Sequence, residues 1–264
     1  MKRKYEFTGE TIKCAGLTLH RIRRLSDQLV GGWIQSEYNL SHNGDCFVYD
    51  DAKVFEGAQV SDDAIVCGAA VVYGDACLEN QAEIYGYARV HGRAAIYEQA
   101  KVNGDAEVYD RAKIYGSAEI YGTASVFSEA KVCGNAKVYG RANIYDDAKM
   151  WGNAEVYGEA EVYGDAEVYG YAKVYGNADV YQNARVYDNA KVYGSAEVFG
   201  DSHVNNNEKE TGVRAIFTTK VAKLEEIFTA KQSQATTNKC QCGAHAIRSR
   251  LHSDWCPLYG KDMI

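Results

Sequence analysis

Proline is nearly missing from this chain: one residue in 264, against 25 glycines. That balance is unusual for a globular protein and suits a chain built from many identical glycine turns. Long apolar runs are missing as well. No stretch approaches 18 apolar residues, which excludes a transmembrane helix of ordinary length. The N-terminal MKRKYEFTGE carries charges but no apolar core, so no signal peptide is predicted. Eight cysteines without a secretory signal predict reduced thiols or a metal site, and hence a cytoplasmic protein. Histidine is scarce: six in all, with only His91 and His203 in the long repeated part.

What is present is a repeat. From Val48 to Val204 every sixth residue is aliphatic, Met150 being the one member that is not Val, Ile or Leu, which makes 27 hexads without insertion or deletion. Four residues after each of the first 26 comes Ala, except at Ser202. The unit reads A-x-V-Y-G-x. Side chains alternate across a strand, so in Ala136-Lys137-Val138-Tyr139 the Ala and Val point one way and the Lys and Tyr the other. Gly140-Arg141 then makes a corner. Three such sides close an 18-residue coil, and the charges agree. Glu83, Lys101, Glu119, Lys137, Glu155 and Lys173 precede core positions at a spacing of 18 and alternate in sign. Stacked on neighbouring strands they form a ladder of opposite charges. The 27 hexads predict nine coils, a rod about 43 Å long at ~4.8 Å per coil.

The pattern aliphatic-x-x-x-small-x resembles the hexapeptide-repeat superfamily over about 160 of the 264 residues. That resemblance implies a left-handed three-sided parallel β-helix; periodicity alone does not fix the hand. Gly31-Gly32-Trp33-Ile34, Asn39-Leu40-Ser41 and Gly44-Asp45-Cys46-Phe47-Val48-Tyr49-Asp50 look like the lead-in segment of hexapeptide-repeat proteins in bacteriophages and enterobacterial genomes. Some of those carry a transferase label by fold analogy.

The expected organisation is an N-terminal cap over 1–44, the β-helix over 45–207, an amphipathic helix over 208–231, and a linker with a zinc-binding tail over 232–264. In the cap, Tyr5-Glu6-Phe7 and Gly16-Leu17-Thr18-Leu19 read as short strands, and Arg21, Arg23 and Arg24 make the segment basic. Solvated charges are the simpler reading of those arginines than a nucleic-acid contact. Val213, Ile216, Phe217, Val221, Leu224, Ile227 and Phe228 fall at helical spacing. In the tail, Cys240, Cys242, His252 and Cys256 supply the four thiolate and imidazole ligands that a structural zinc takes, with His245 as a competitor. That spacing resembles the zinc-knuckle tails of short phage proteins.

Hexapeptide-repeat acyltransferases use a histidine near a subunit boundary, and the carbonic anhydrase-like members hold a metal with three histidines. Here His91 and His203 lie about six coils apart, roughly 30 Å, and cannot share a metal within one chain. No loop interrupts the hexads to shape a pocket, so no catalytic residue is assigned. The position after each core aliphatic is aromatic in 20 of 27 hexads. One side runs Phe55, Tyr73, His91, Tyr109, Phe127, Tyr145, Tyr163, Tyr181, Phe199, and Tyr109, Tyr145, Tyr163 and Tyr181 mark a candidate binding face. Residues 45–204 hold 26 acidic and 13 basic side chains, a net of −13, which opposes direct DNA binding by the rod. The expectation is a non-catalytic binding or structural module, phage-derived, that meets a protein or glycan partner or forms a homo-oligomer such as a trimer. Two alternatives stand beside it: a trimeric acyltransferase-like enzyme, and an acidic DNA mimic.

Overall fold

The alternation of inward Ala and Val with outward polar and aromatic residues builds a parallel β-solenoid of about ten turns. The computed structural model describes residues 3–205. From Ala52 to Val186 the inward Ala and aliphatic columns are all 0–1% exposed and form one continuous core. Each strand bonds to its equivalent 18 residues away. Glu119 N–H donates to Ala136 O at 3.0 Å and Tyr121 N–H to Val138 O at 2.9 Å.

Three sheets result. Face A carries β3 (Val30–Ile34) and nine two-residue strands from Lys53–Val54 to Glu197–Val198. Face B carries nine strands from Gln59–Val60 to His203–Val204. Face C carries nine from Phe47–Val48 to Lys191–Gly194. The expected charge ladder stands on face C, where Glu83 pairs with Lys101 and Lys101 with Glu119 in register. Among the described residues the only helical element is a 3-10 turn, Glu37–Asn39. The helix expected over 208–231 and the tail over 232–264 lie outside the described residues.

Corners are two-residue turns whose first member has a positive φ. Glycine fills most of them, but Asp50, Glu56, Asp62, Asn80 and Glu98 do so at φ 55–59°. Each of these side chains accepts the N–H of the equivalent corner residue one coil on. Asp50 takes Gly68 N–H at 2.9 Å and Glu98 takes Gly116 N–H at 2.7 Å. That bond satisfies a backbone donor and offsets the cost of a left-handed residue that is not glycine.

The stack starts one turn earlier than the hexad frame. β3 pairs in parallel with Lys53–Val54, and Leu40 bridges Val60. Ile34 and Leu40 are spaced by six, but eight residues separate Leu40 from Val48, so a two-residue insertion hides this turn from the period. Gly31 and Gly32 are needed there, because a Cβ on Gly31 would lie 2.5 Å from Val48 O and one on Gly32 2.6 Å from Ala52 O.

The open edge is covered by an antiparallel hairpin, β1 (Tyr5–Cys14) and β2 (Leu17–Arg24), with β2 antiparallel to β3. Leu19 of the hairpin packs with Trp33 and Phe55, and Val71 and Tyr73 border that cluster, so the base of face A is occupied. The cap arginines are bound within the protein: Arg21 to Asp51, Arg23 to Glu6, Arg24 to Asp27. Arg21 also lies over Trp33, and Arg24 over Phe47 and Tyr49. Both cap histidines have partners that spacing did not reveal, His20 beside Phe7 and His42 stacked on Tyr5 at 4.4 Å.

Candidate functional site

Coil stacking turns each outward position into a column. On face A nine rings, Phe55 through His91 to Phe199, stack without a break at centroid distances of 4.6–5.4 Å. Tyr109, Tyr145, Tyr163 and Tyr181 stand in this one column, with Phe127 between the first two. Face C holds a five-ring run from Tyr121 to Tyr193. Face B holds Tyr97–Tyr115 and Trp151–Tyr169–Tyr187. The stacked rings are nearly parallel, so each inner ring covers the faces of its neighbours and shows the outside its edge and hydroxyl. The rings from Tyr73 to Phe199 on face A are accordingly half-buried.

The hydroxyls reach sideways to the charge column. Tyr145 donates to Glu161 at 3.0 Å, Tyr139 to Glu155 at 3.1 Å and Tyr181 to Glu197 at 3.4 Å. Burial, and then the carboxylate acceptor, push the Tyr139 and Tyr145 phenols well above the ordinary tyrosine range. His91 obeys the same rule. It is sandwiched between Tyr73 and Tyr109 at 4.6 and 5.0 Å, with Nε2 3.1 Å from Glu107 Oε1. Both ring faces of this imidazole are covered by tyrosines.

The charge columns differ between faces. On face C, Lys101–Glu83, Lys137–Glu119 and Lys173–Glu155 pair at 3.0, 3.2 and 2.9 Å. Face B stacks Lys113, Lys131 and Lys149 on consecutive rungs. Face A stacks Glu161, Asp179 and Glu197 on consecutive rungs. Among the described residues none of these three carboxylates has a cationic partner. The two like-charge stripes were missed in the sequence, although the 18-residue spacing that exposed the Glu/Lys ladder also contains them.

Desolvation raises the Asp179 pKa, and the Glu161 and Glu197 charges add to the shift. A raised carboxyl pKa means that the folded state binds the proton more tightly than the unfolded chain. Protonation then contributes stability that is complete below the unfolded value, about 4, and is lost as pH rises through the folded value. Replacing Asp179 with Asn is therefore expected to stabilise the protein at pH 7 by about 0.5 kcal/mol after solvent screening, ~1–2 °C in Tm. The same change should flatten the rise in Tm between neutrality and pH ~4. Thermal melts of both proteins across that range check this, and an unchanged pH profile would show that the stripe is not strained.

Neither Cys67 nor Cys77 in the outward columns is set up as a nucleophile. Burial and neighbouring carboxylates raise Cys67, and push Cys77 up to about 11. Cys133, on face B, and burial push the neighbouring Tyr115 phenol up to about 12. An open cleft of ≈ 1080 Å³ lies beside the cap, lined by Lys4, Arg24, His42, Asp27, Asp45 and Asp63 among others. Its cations are already engaged: Arg24 holds Asp27, whose carboxyl is lowered to about 2, and Lys4 reaches the Asn43 and Gly44 carbonyls. The tail ligands Cys240, Cys242, His252 and Cys256 lie outside the described residues. Among the described residues no group of three or more His, Cys, Asp or Glu side chains is placed to hold a metal ion. No helix there is long and apolar enough to cross a membrane.

Residues 58–74, just under one coil, match a family model described as YdcK Beta solenoid repeat. Together with three parallel sheets, that match supports a β-helix repeat family for the chain. No curated protein matches it.

Proposed function

We propose that the chain is a non-catalytic binding module of the hexapeptide-repeat type, of phage origin, that offers face A to a basic protein surface. The observation that carries this reading is the stripe of Glu161, Asp179 and Glu197 beside a stack of tyrosine hydroxyls. Like charges on neighbouring strands are unfavourable in the free protein. A partner bearing Lys or Arg at matching heights relieves that repulsion and gains charge-assisted hydrogen bonds. Ring geometry favours a protein over a glycan, because a sugar stacks on an open ring face and the inner rings of these ladders show only edges. The −13 charge is also uneven, with a basic stripe on face B and a balanced ladder on face C. An even imitation of a DNA backbone is poorly served by that pattern. The zinc tail, in this reading, is a separate structural element.

The test is capture from host lysate by the wild-type chain and by the Glu161→Gln/Asp179→Asn/Glu197→Gln variant. The expected result is a protein retained by the wild type at low salt and bound at least tenfold more weakly by the variant. Retention that ignores both salt and the three substitutions removes face A as the site. Saturable binding of acetyl-CoA would instead favour the acyltransferase reading, in which His91 or His203 acts at a subunit cleft.

A further inference from the structure

Face C differs from the other two in three ways, and together they describe a surface made to meet itself. Its charge column alternates from Glu83 through Lys101, Glu119, Lys137 and Glu155 to Lys173, so these six side chains carry no net charge, and Lys191 on the last rung adds one positive charge beside Lys173. Among the described residues they form ion pairs only with one another. Its ring column is tyrosine on five consecutive rungs, from Tyr121 to Tyr193. The corner that follows it carries glycine on eight consecutive coils, from Gly68 to Gly194. Backbone angle alone does not demand those eight. A left-handed φ of 56–59° is carried by Glu56, Asp110, Ser128, Asp146 and Gln182 at the other corners, against 69–80° for these glycines. The glycine half of that corner puts no side chain next to the ring column, while its other half carries exposed residues such as Tyr87, Arg141 and Glu159.

We propose that face C is a self-association surface on which a second copy of this chain docks antiparallel. A two-fold axis lying in the contact plane and perpendicular to the rod reverses the order of rungs. It keeps each column on its own side, so the charge column meets the charge column and the ring column meets the ring column. With the axis between the rungs of Glu119 and Lys137, Glu119 faces the partner's Lys137. Lys101 then faces the partner's Glu155, and Glu83 faces the partner's Lys173. Every one of the six charges meets its opposite, and symmetry doubles each pair. A register displaced by one rung sets like against like, and one displaced by two leaves fewer pairs. Faces A and B lack this property, since antiparallel contact leaves parts of their like-charge stripes unmatched.

The area is adequate. Eight rungs at ~4.8 Å and a side about five residues wide cover roughly 600 Å² per copy, about 1,200 Å² in total, at the lower limit for a specific interface. A weak, salt-sensitive dimer is expected, with Kd in the micromolar range. The inference is independent of the partner proposed for face A, because the two use different sides of the prism.

Light scattering or sedimentation of the full chain at rising concentration should show mass growing from 29.2 kDa to twice that value. The Lys101→Glu/Lys137→Glu/Lys173→Glu variant, with all six of these positions acidic, should stay monomeric. So should the Glu83→Lys/Glu119→Lys/Glu155→Lys variant, and mixing the two should restore the dimer. The register has its own probe. Asn103 and Tyr157 stand three rungs apart, about 14 Å, too far for a disulfide within one chain. Across the proposed axis they face each other, so the Asn103→Cys/Tyr157→Cys protein should form a covalent dimer on oxidation more readily than wild type. The Asn103→Cys/Tyr175→Cys protein, one rung out of register, should not. A wild-type chain that is monomeric at 100 µM, a trimeric mass, or equal cross-linking of both cysteine pairs overturns the proposal, whatever the charge variants do.

Discussion

Deleting residues 173–190 is expected to leave a folded, cooperative rod one coil shorter, whereas deleting Gly176 alone is expected to unravel everything beyond it. The long deletion removes one strand from each sheet and joins Ala172 to Lys191, which restores the A-x-V frame. Glu155 then meets Lys191 on face C, Tyr163 meets Phe199 on face A, and the acidic stripe shrinks from three rungs to two. Nearest-neighbour stability of this kind makes the coil the natural unit of gain and loss. The single deletion removes half of a two-residue corner, leaving no slack to absorb the change. A one-residue slip turns every inward side chain outward. Val180, Val186, Val192, Val198 and Val204 then leave the core, at ~1.5 kcal/mol or more each, over 7 kcal/mol in all. Circular dichroism melts compare the two: the 18-residue deletion should melt within a few degrees of wild type. The Gly176 deletion should lose signal amplitude and become protease-sensitive after residue 176. Comparable melts for both proteins would mean that register is not what holds the rod together.

That contrast also explains which parts of the molecule were legible in the sequence. Period and register were, because the same two constraints recur in every coil: a side chain small or branched enough for the core, and a corner that tolerates positive φ. The pairing of Glu83 with Lys101 followed from a spacing of 18, and the structure pairs them. The first turn was not legible, because its closing loop from Ser41 to Cys46 is two residues too long for the frame. Its bonds also come from side chains that no period exposes. Nor was the hairpin's reach. β1 runs to Cys14, well past the short Tyr5–Phe7 strand, through a register shift between Phe7 and Thr11 around Gly9 at φ 95°. A bulge of that kind breaks the alternation by which a strand is recognised. For the candidate face, the ladder of Tyr109, Tyr145, Tyr163 and Tyr181 was visible as a column. What the rings expose was not, since parallel face-to-face stacking and the bonds from Tyr145 to Glu161 and Tyr181 to Glu197 are properties of neighbouring coils.

The concealed first turn carries the second large effect. Asn39 is fully buried, and among the described residues only Ser202 is another polar residue in the buried class. Its amide donates to Glu56 O at 3.0 Å and to Ala58 O at 2.9 Å, while its carbonyl oxygen accepts Ser36 N–H at 2.9 Å. One side chain thus replaces the backbone bonds that a regular coil would have made to the rung above. Asn39→Ala takes the partner from the buried Ala58 carbonyl and from the part-buried Glu56 carbonyl and Ser36 N–H, at ~1–3 kcal/mol for the buried group and less for the others, so a loss of about 3 kcal/mol is expected. Asn39→Asp keeps the shape but is expected to be worse at neutral pH. A carboxylate cannot donate to Glu56 O or Ala58 O, and it places a buried negative charge against two carbonyl oxygens. Its pKa in the folded state should be raised, so the sign is opposite to that of a salt-bridged aspartate. Stability should be lowest above the folded pKa and return as pH falls toward about 4, where the protonated acid regains one donor. Urea melts of the three proteins at pH 7 and pH 5 decide the matter, with hydrogen exchange of the strand Lys53–Val54 reporting on the first coils. If Asn39→Asp is as stable as wild type at pH 7, the amide donors are not what closes the turn. If it is destabilised equally at both pH values, the loss is one of shape. Only a deficit that shrinks on acidification assigns the closure of the solenoid to the two bonds that Asn39 donates.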